Sequence, residues 1–118
     1  MRSRHESEAD FVRTVLDAAA VLGWRRIHFR PARTQHGWRT PLQGDVGFPD
    51  LVLARPGAPL LLVEVKTDTG RLTPAQEAWL ATLRQARGHQ ALVWRPAQWA
   101  QIVQLLQTGR SRQPHEEK

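Results

Sequence analysis

Residues 47–66, "GFPDLVLARPGAPLLLVEVK", fix more of the fold than any other stretch. Two apolar runs flank Pro56 and Gly57, a dipeptide that turns a chain. Each run has the length and aliphatic content of a buried strand, so the pair is read as a β-hairpin. Its acids are out of place there. Asp50 and Glu64 each lie seven residues from Gly57, so a turn centred on that glycine sets them directly opposite one another. Like charges opposed across strands destabilise a sheet. Glu64 and Lys66 are two apart and share one face of their strand, and Asp50 then faces the same way. Three ionisable groups converge at one end of an apolar hairpin.

A divalent cation turns that repulsion into attraction. Two carboxylates with waters and a phosphate oxygen are a usual holding for Mg²⁺. The plainer alternative is an exposed hairpin end where Lys66 pairs with Glu64, an arrangement worth little. Spacing and shared face favour the metal. Glu8 sits at the head of a helical stripe formed by Phe11, Val12, Val15, Leu16, Ala19 and Leu22. It either reaches a site against which that helix packs, or simply favours the positive end of the helix dipole.

The remaining elements follow from pattern. The first helix covers 8–22 and stops at Gly23. "WRRIHFR", 24–30, alternates as a strand, with Arg25, Ile27 and Phe29 on one side and Trp24, Arg26, His28 and Arg30 on the other. Residues 31–46 lack periodicity and read as a long loop, a length that is usually functional. A second helix starts at Thr73 as N-cap with Pro74 in its first position, and stops at Gly88. "QALVWRP" is a further core strand. "AQWAQIVQLLQ" is a last helix with Trp99, Ile102, Val103 and Leu106 inward. Trp24, Trp79, Trp94 and Trp99 fall at core or interface positions. The order is helix, three strands, helix, strand, helix, a mixed α/β layered fold. Residues 1–7 form a flexible lead, 8–107 one domain, and 108–118 a disordered tail.

Charge and composition narrow the partners. The chain of 118 residues suits one domain. It has no cysteine, which removes disulfides and thiolate zinc sites and is compatible with a reducing cytoplasm. No apolar run is long enough to span a bilayer. A net charge of +6, carried mostly by arginine and accompanied by five tryptophans, points to nucleic acid; solubility alone is the plainer account of that charge.

The spacing of Pro49-Asp50, thirteen residues, then Glu64-Val65-Lys66 resembles the PD-(D/E)XK nuclease signature. "SEADF", "GWRRIHFR", "GFPDLVLAR", "EVKTDTGRLTPAQEAWLATLR" and "LVWRPAQW", in that order, resemble its VRR-NUC branch, in particular small stand-alone bacterial and phage members. The resemblance runs from about residue 7 to 106. It implies an α/β, restriction-endonuclease-like fold, a mixed sheet flanked by helices with the metal site at one sheet edge. It also implies that Glu8, Asp50 and Glu64 are the acids, that the Val65 carbonyl is a further metal ligand, and that Lys66 is the lysine. Gln76 matches the helix glutamine that faces the site, although Thr73 and Gln76 also have capping-box spacing and both roles are compatible. Homodimers and junction-resolving activity, in a bacterial or phage setting, come from the same resemblance.

The chemistry expected is Mg²⁺- or Mn²⁺-assisted phosphodiester hydrolysis of DNA. Lys66 is read as orienting water or steadying transition-state charge rather than as a general base, because carboxylate neighbours favour its ammonium form. Arg26, His28, Arg30, Arg33, His36 and Arg39 are expected to contact phosphates. Trp38 either stacks on an unpaired base or covers the core. His28 also fits a satisfied sheet-edge residue, and Arg71 a solvated loop arginine rather than a phosphate contact. Nothing reads DNA sequence, which favours branched DNA. A catalytically silent DNA-binding subunit and a sequence-specific restriction-type enzyme are the alternatives; the intact acids and lysine argue against the first, and the small size against the second.

Overall fold

The structure, a computed structural model, describes residues 7–29, 32–34, 37–39 and 43–110. The expected lead, apart from Ser7, and the tail beyond Arg110 lie outside them. The elements are α1 (Glu8–Val21), β1 (Arg25–His28), β2 (Ala32–Thr34), β3 (Gly37–Arg39), β4 (Leu51–Ala54), β5 (Leu60–Val65), α2 (Pro74–Gln85), β6 (His89–Trp94), a 3₁₀ turn at Pro96–Gln98, and α3 (Trp99–Thr108). Four strands form one sheet in the order β1-β4-β5-β6. The first two pairings are antiparallel, and β5 runs parallel to β6, joined through α2. This is the mixed α/β, restriction-endonuclease-like arrangement that the sequence predicts.

Local chemistry sets the helix ends. Ser7 caps α1 by accepting the Asp10 N–H. At its other end Gly23 has φ of 90°, which lets the Trp24 N–H turn back to the Ala19 carbonyl. The second helix stops at Gln85 rather than at Gly88, because Ala86 already leaves the helical region with ψ of 171°. The stretch read as one aperiodic loop carries a short antiparallel hairpin, β2 with β3. Three-residue strands are too short to declare a period of two.

The hairpin register is the one expected from a turn centred on Gly57. Leu51 pairs with Val63, Val52 with Leu62 and Leu53 with Leu61, and one step further Asp50 lies opposite Glu64. Alternation then divides the sheet into two faces. Leu51, Leu53, Leu61, Val63, Val65, Leu92 and Trp94 join Phe11, Val12, Val15, Ala19, Ile102, Leu105 and Leu106 of α1 and α3 in one buried cluster. The opposite face carries Leu62 and Ala91, both buried, and α2, whose Leu80 is buried, packs against β6 on that face. Burying an aliphatic side chain stabilises by about 1.5–3 kcal/mol, so the first face holds most of the core. Among the described residues no helix is long and apolar enough to cross a membrane.

β1 is an edge strand. Its residues Arg25, Arg26 and Ile27 are all exposed, so it lacks the inward apolar side that alternation suggested. Only Trp24, just before it, is buried; its Nε1–H donates to the Leu106 carbonyl at 2.9 Å. Arg55 lies 5.0 Å from that ring and donates to the same carbonyl at 2.7 Å. The C-terminal end of α3 is thereby tied to the sheet.

Candidate active site

β5 is buried from Leu61 to Val65, and Glu64 is the acid in that run, at 2% exposure. The strand places it on the α2 face, two residues before Lys66 and opposite Asp50. Asp50 replaces a missing rung of the ladder: its Oδ2 accepts the Val65 N–H at 3.0 Å. The N–H and C=O of a strand residue point toward the same neighbouring strand, so Val65 turns its carbonyl to the Asp50 side as well. Two carboxylates and a backbone carbonyl therefore converge at the end of β4 and β5.

Burial pushes the Glu64 carboxyl up to about 8, with the Asp50 charge and a hydrogen bond to Asp50 adding to the rise; Lys66 opposes it and Glu8 adds a smaller increment. Burial and the neighbouring negative charge thus favour the protonated form of Glu64, a penalty on its carboxylate that a cation would relieve. The donor set is hard oxygen throughout, which suits Mg²⁺ or Mn²⁺.

Gln76 serves two structures at once. Its Oε1 accepts the Thr73 N–H at 2.8 Å while Thr73 Oγ accepts the Gln76 N–H at 3.1 Å, a reciprocal cap on α2. Its Nε2 donates to Glu64 Oε2 at 3.0 Å. The cap thus fixes the amide that holds the buried carboxylate. Lys66 is half-buried, with its N–H donating to the Trp94 carbonyl at 3.1 Å.

Glu8 comes from the other layer, at the first turn of α1. Partial burial raises its pKa, the Asp50 charge adds to this and Lys66 lowers it. It is within electrostatic reach of the pair. Among the described residues, however, no three His, Cys, Asp or Glu side chains gather as a metal cage. Asp50 and Glu64 are the acids brought together, and Glu8 flanks them.

Several supporting contacts were not read from the sequence. Gly47 has φ of 101°, and a Cβ there would sit 2.6 Å from the Ala75 carbonyl carbon. Only glycine lets this loop lie on the first turn of α2, one residue from Gln76. Trp79 Nε1–H donates to the Asp45 carbonyl at 3.0 Å, and its ring meets Phe48 edge to face. Arg95 Nη1 donates to the carbonyls of Thr67 and Gly70 at 2.7 and 2.8 Å, and Asp68 accepts the Ala97 N–H at 2.9 Å. These bonds pin the segment that follows Lys66. A lone glycine before a strand is a readable flag for close approach; nothing local marks Arg95.

The expected DNA contacts divide. Arg26 pairs with Leu53 and His28 with Leu51, which puts them on the α1/α3 face, away from Asp50 and Glu64. Arg26 reaches the Leu16 carbonyl at 3.3 Å. Arg25, opposite Ala54, shares the face of the acids instead. Arg33, Trp38 and Arg39 lie in β2 and β3, where the backbone alone is described; Arg30 and His36 fall outside the described residues. Arg71 is exposed ahead of α2.

The VRR-NUC domain family model matches residues 28–107. That span contains Asp50, Glu64, Lys66 and Gln76, and excludes Glu8. No curated protein and no solved structure matches the chain.

Proposed function

Because the chain belongs to the VRR-NUC domain family, a nuclease family of the PD-(D/E)XK type, we propose that it is a Mg²⁺- or Mn²⁺-dependent endonuclease hydrolysing phosphodiester bonds of branched or junction DNA. The observation that carries this reading is the buried pairing of Asp50 with Glu64 beside Lys66, an arrangement that burial and like charge penalise unless a cation occupies it. Asp50, Glu64 and the Val65 carbonyl would hold the ion. When bound, it polarises a phosphoryl oxygen and acidifies water.

The protein's own groups do the rest. Gln76 holds one oxygen of Glu64 in place. Lys66 orients the attacking water or steadies the charge that grows on the phosphoryl oxygens. A P–O bond forms to water as the P–O bond to the leaving sugar oxygen breaks; the water gives up its proton to solvent, and the leaving oxygen takes one from solvent to become a hydroxyl. Glu8 holds waters at the mouth of the site. A homodimer in the cytoplasm, with two sites about a two-fold axis, matches a two-fold junction.

The test is cleavage of labelled duplex, flap, splayed-arm and four-way DNA with Mg²⁺, Mn²⁺ or chelator, for the native chain and for Glu64→Ala. Metal-dependent nicking of branched DNA is expected, and Glu64→Ala abolishes it while binding survives. If both chains bind alike and neither cuts, the protein is a silent DNA-binding subunit and this reading fails.

A further inference from the structure

One cross-strand row on the α2 face runs Phe29, Asp50, Glu64, Val93, by extension of the pairing of β1 with β4 and through that of β5 with β6. The Phe29 N–H donates to the Asp50 carbonyl at 2.9 Å. Phe29 is therefore the edge-strand neighbour of the acid pair, on the same face. It is 40% exposed.

The ring is not loose. It meets Phe48 edge to face, with centroids 5.9 Å apart and planes at 81°. Phe48 meets Trp79 in the same manner at 5.0 Å and 88°, and Trp79 is anchored by its bond to Asp45. The row ties an edge strand, the loop before Asp50 and α2 into one aromatic support, whose outer member is open to solvent. A rigid, partly open ring has its entropy cost already met before a ligand arrives.

Neighbouring chemistry selects the ligand. Adjacent strands lie about 4.8 Å apart, so anything on the ring is within one sugar-phosphate unit of the acids. Arg25 is exposed on the same face of β1 and offers a phosphate contact, and the chain carries +6. A base in the interior of a duplex is covered on both faces by its neighbours and offers no face to a protein ring. We propose that Phe29 is a base-stacking subsite that takes one unpaired base of the nucleotide next to the scissile phosphate. Aromatic stacking is tolerant of base identity, so the subsite selects for an unpaired nucleotide at the cut and not for sequence. The proposal rests on the nuclease reading above and narrows its substrate to branched DNA with a single-stranded arm at the active site.

The experiment is a binding cycle on a fluorescein-labelled splayed-arm oligonucleotide with Mg²⁺, in the uncut Glu64→Gln background. Abasic residues replace each nucleotide of the unpaired arm in turn, against Phe29, Phe29→Ala, Phe29→Leu and Phe29→Trp. At one position near the junction, loss of the base is expected to weaken binding roughly 10- to 100-fold. Phe29→Ala should weaken it similarly, and the two losses together should cost no more than one. Phe29→Trp retains binding. Phe29→Leu, which keeps apolar bulk against Phe48, does not. Losses that multiply at every position, or Leu binding like Phe, overturn the proposal. So does a Phe29→Ala chain that dissociates from dimer to monomer by light scattering with base coupling absent, which assigns the ring to a protein interface. Wild-type cleavage of the unmodified oligonucleotide is scored separately: absence of any cut sinks the nuclease reading, while cutting without coupling sinks only the stacking subsite.

Discussion

On the α1/α3 side of the sheet, Leu51, Leu53, Leu61, Val63 and Val65 are each 0% exposed and belong to one apolar cluster with residues of both helices. On the α2 side the same strands present half-buried Val52 and buried Leu62, then end in Asp50, Glu64 and Lys66. Among the described residues a single helix, α2, covers this second face, and Ile27 at its edge stays 53% exposed. Adjacent residues of β5 thus belong to opposite regimes. The closed face supplies cooperative burial, and that surplus offsets the cost of holding two carboxylates together on the other. Marginal net stability makes such an offset necessary, since folding leaves only about 5–15 kcal/mol in hand.

The largest effect expected from this contrast is on the closed face. Leu61→Ala should destabilise by about 2–5 kcal/mol, because the close-packed cluster cannot collapse into the space. Val52→Ala, half-buried on the α2 face, should cost about 1 kcal/mol. Urea denaturation of both variants measures the difference. Equal losses would show that the two faces share the core evenly, and the division drawn above would fall.

The next effect has the opposite sign. The Glu64 carboxyl titrates near 8 when folded, against 4.5 for the free side chain. Its folded form binds a proton that the unfolded chain has already released. This stabilising contribution is complete below the unfolded value and is lost as pH rises through the folded one. The slope is at most about 1.4 kcal/mol per pH unit. Without metal, Glu64→Gln should therefore gain stability over the native chain steadily as pH goes from 5 to 8. Thermal melts in chelator at several pH values report it. Parallel pH profiles for the two chains would mean that the acid pair is not strained, and Mg²⁺ would then have nothing to relieve.

Much of this contrast was legible in the sequence, for reasons that are local. Pro56 and Gly57 fix the turn, so counting outward set Asp50 against Glu64 and put Lys66 on the same face. The Thr73–Gln76 spacing gave the cap, and helical periodicity gave α1 and α3. What was not legible depends on contacts distant in the chain. Arg95 grips carbonyls of Thr67 and Gly70, 28 and 25 residues earlier in sequence, and any arginine before a proline looks the same. The exposure of Ile27 follows from β1 lying at the sheet edge, which strand order decides and alternation does not. The placement of Arg26 and His28 on the closed face follows from the same order: their parity was correct, but which face held the acids depended on the β1 register.

The smallest effect separates the two duties of Gln76. Thr73→Ala deletes the hydroxyl that accepts the Gln76 N–H, but keeps the backbone N–H that Gln76 Oε1 accepts. The side-chain amide remains clamped and still donates to Glu64. Loss of the cap should cost about 1 kcal/mol of stability, with cleavage changed by no more than about twofold on the same free-energy grounds, since no group touching the acids moves. Gln76→Leu removes the amide itself, leaves a buried carboxylate oxygen without its donor, and should lower cleavage by about 10- to 100-fold. Initial rates on the splayed-arm substrate, set beside melting temperatures, compare the two variants. If Thr73→Ala slows cleavage as much as Gln76→Leu, helix N-terminus and acid pair are one mechanical unit, and the α2 face is held together by its site rather than merely carrying it.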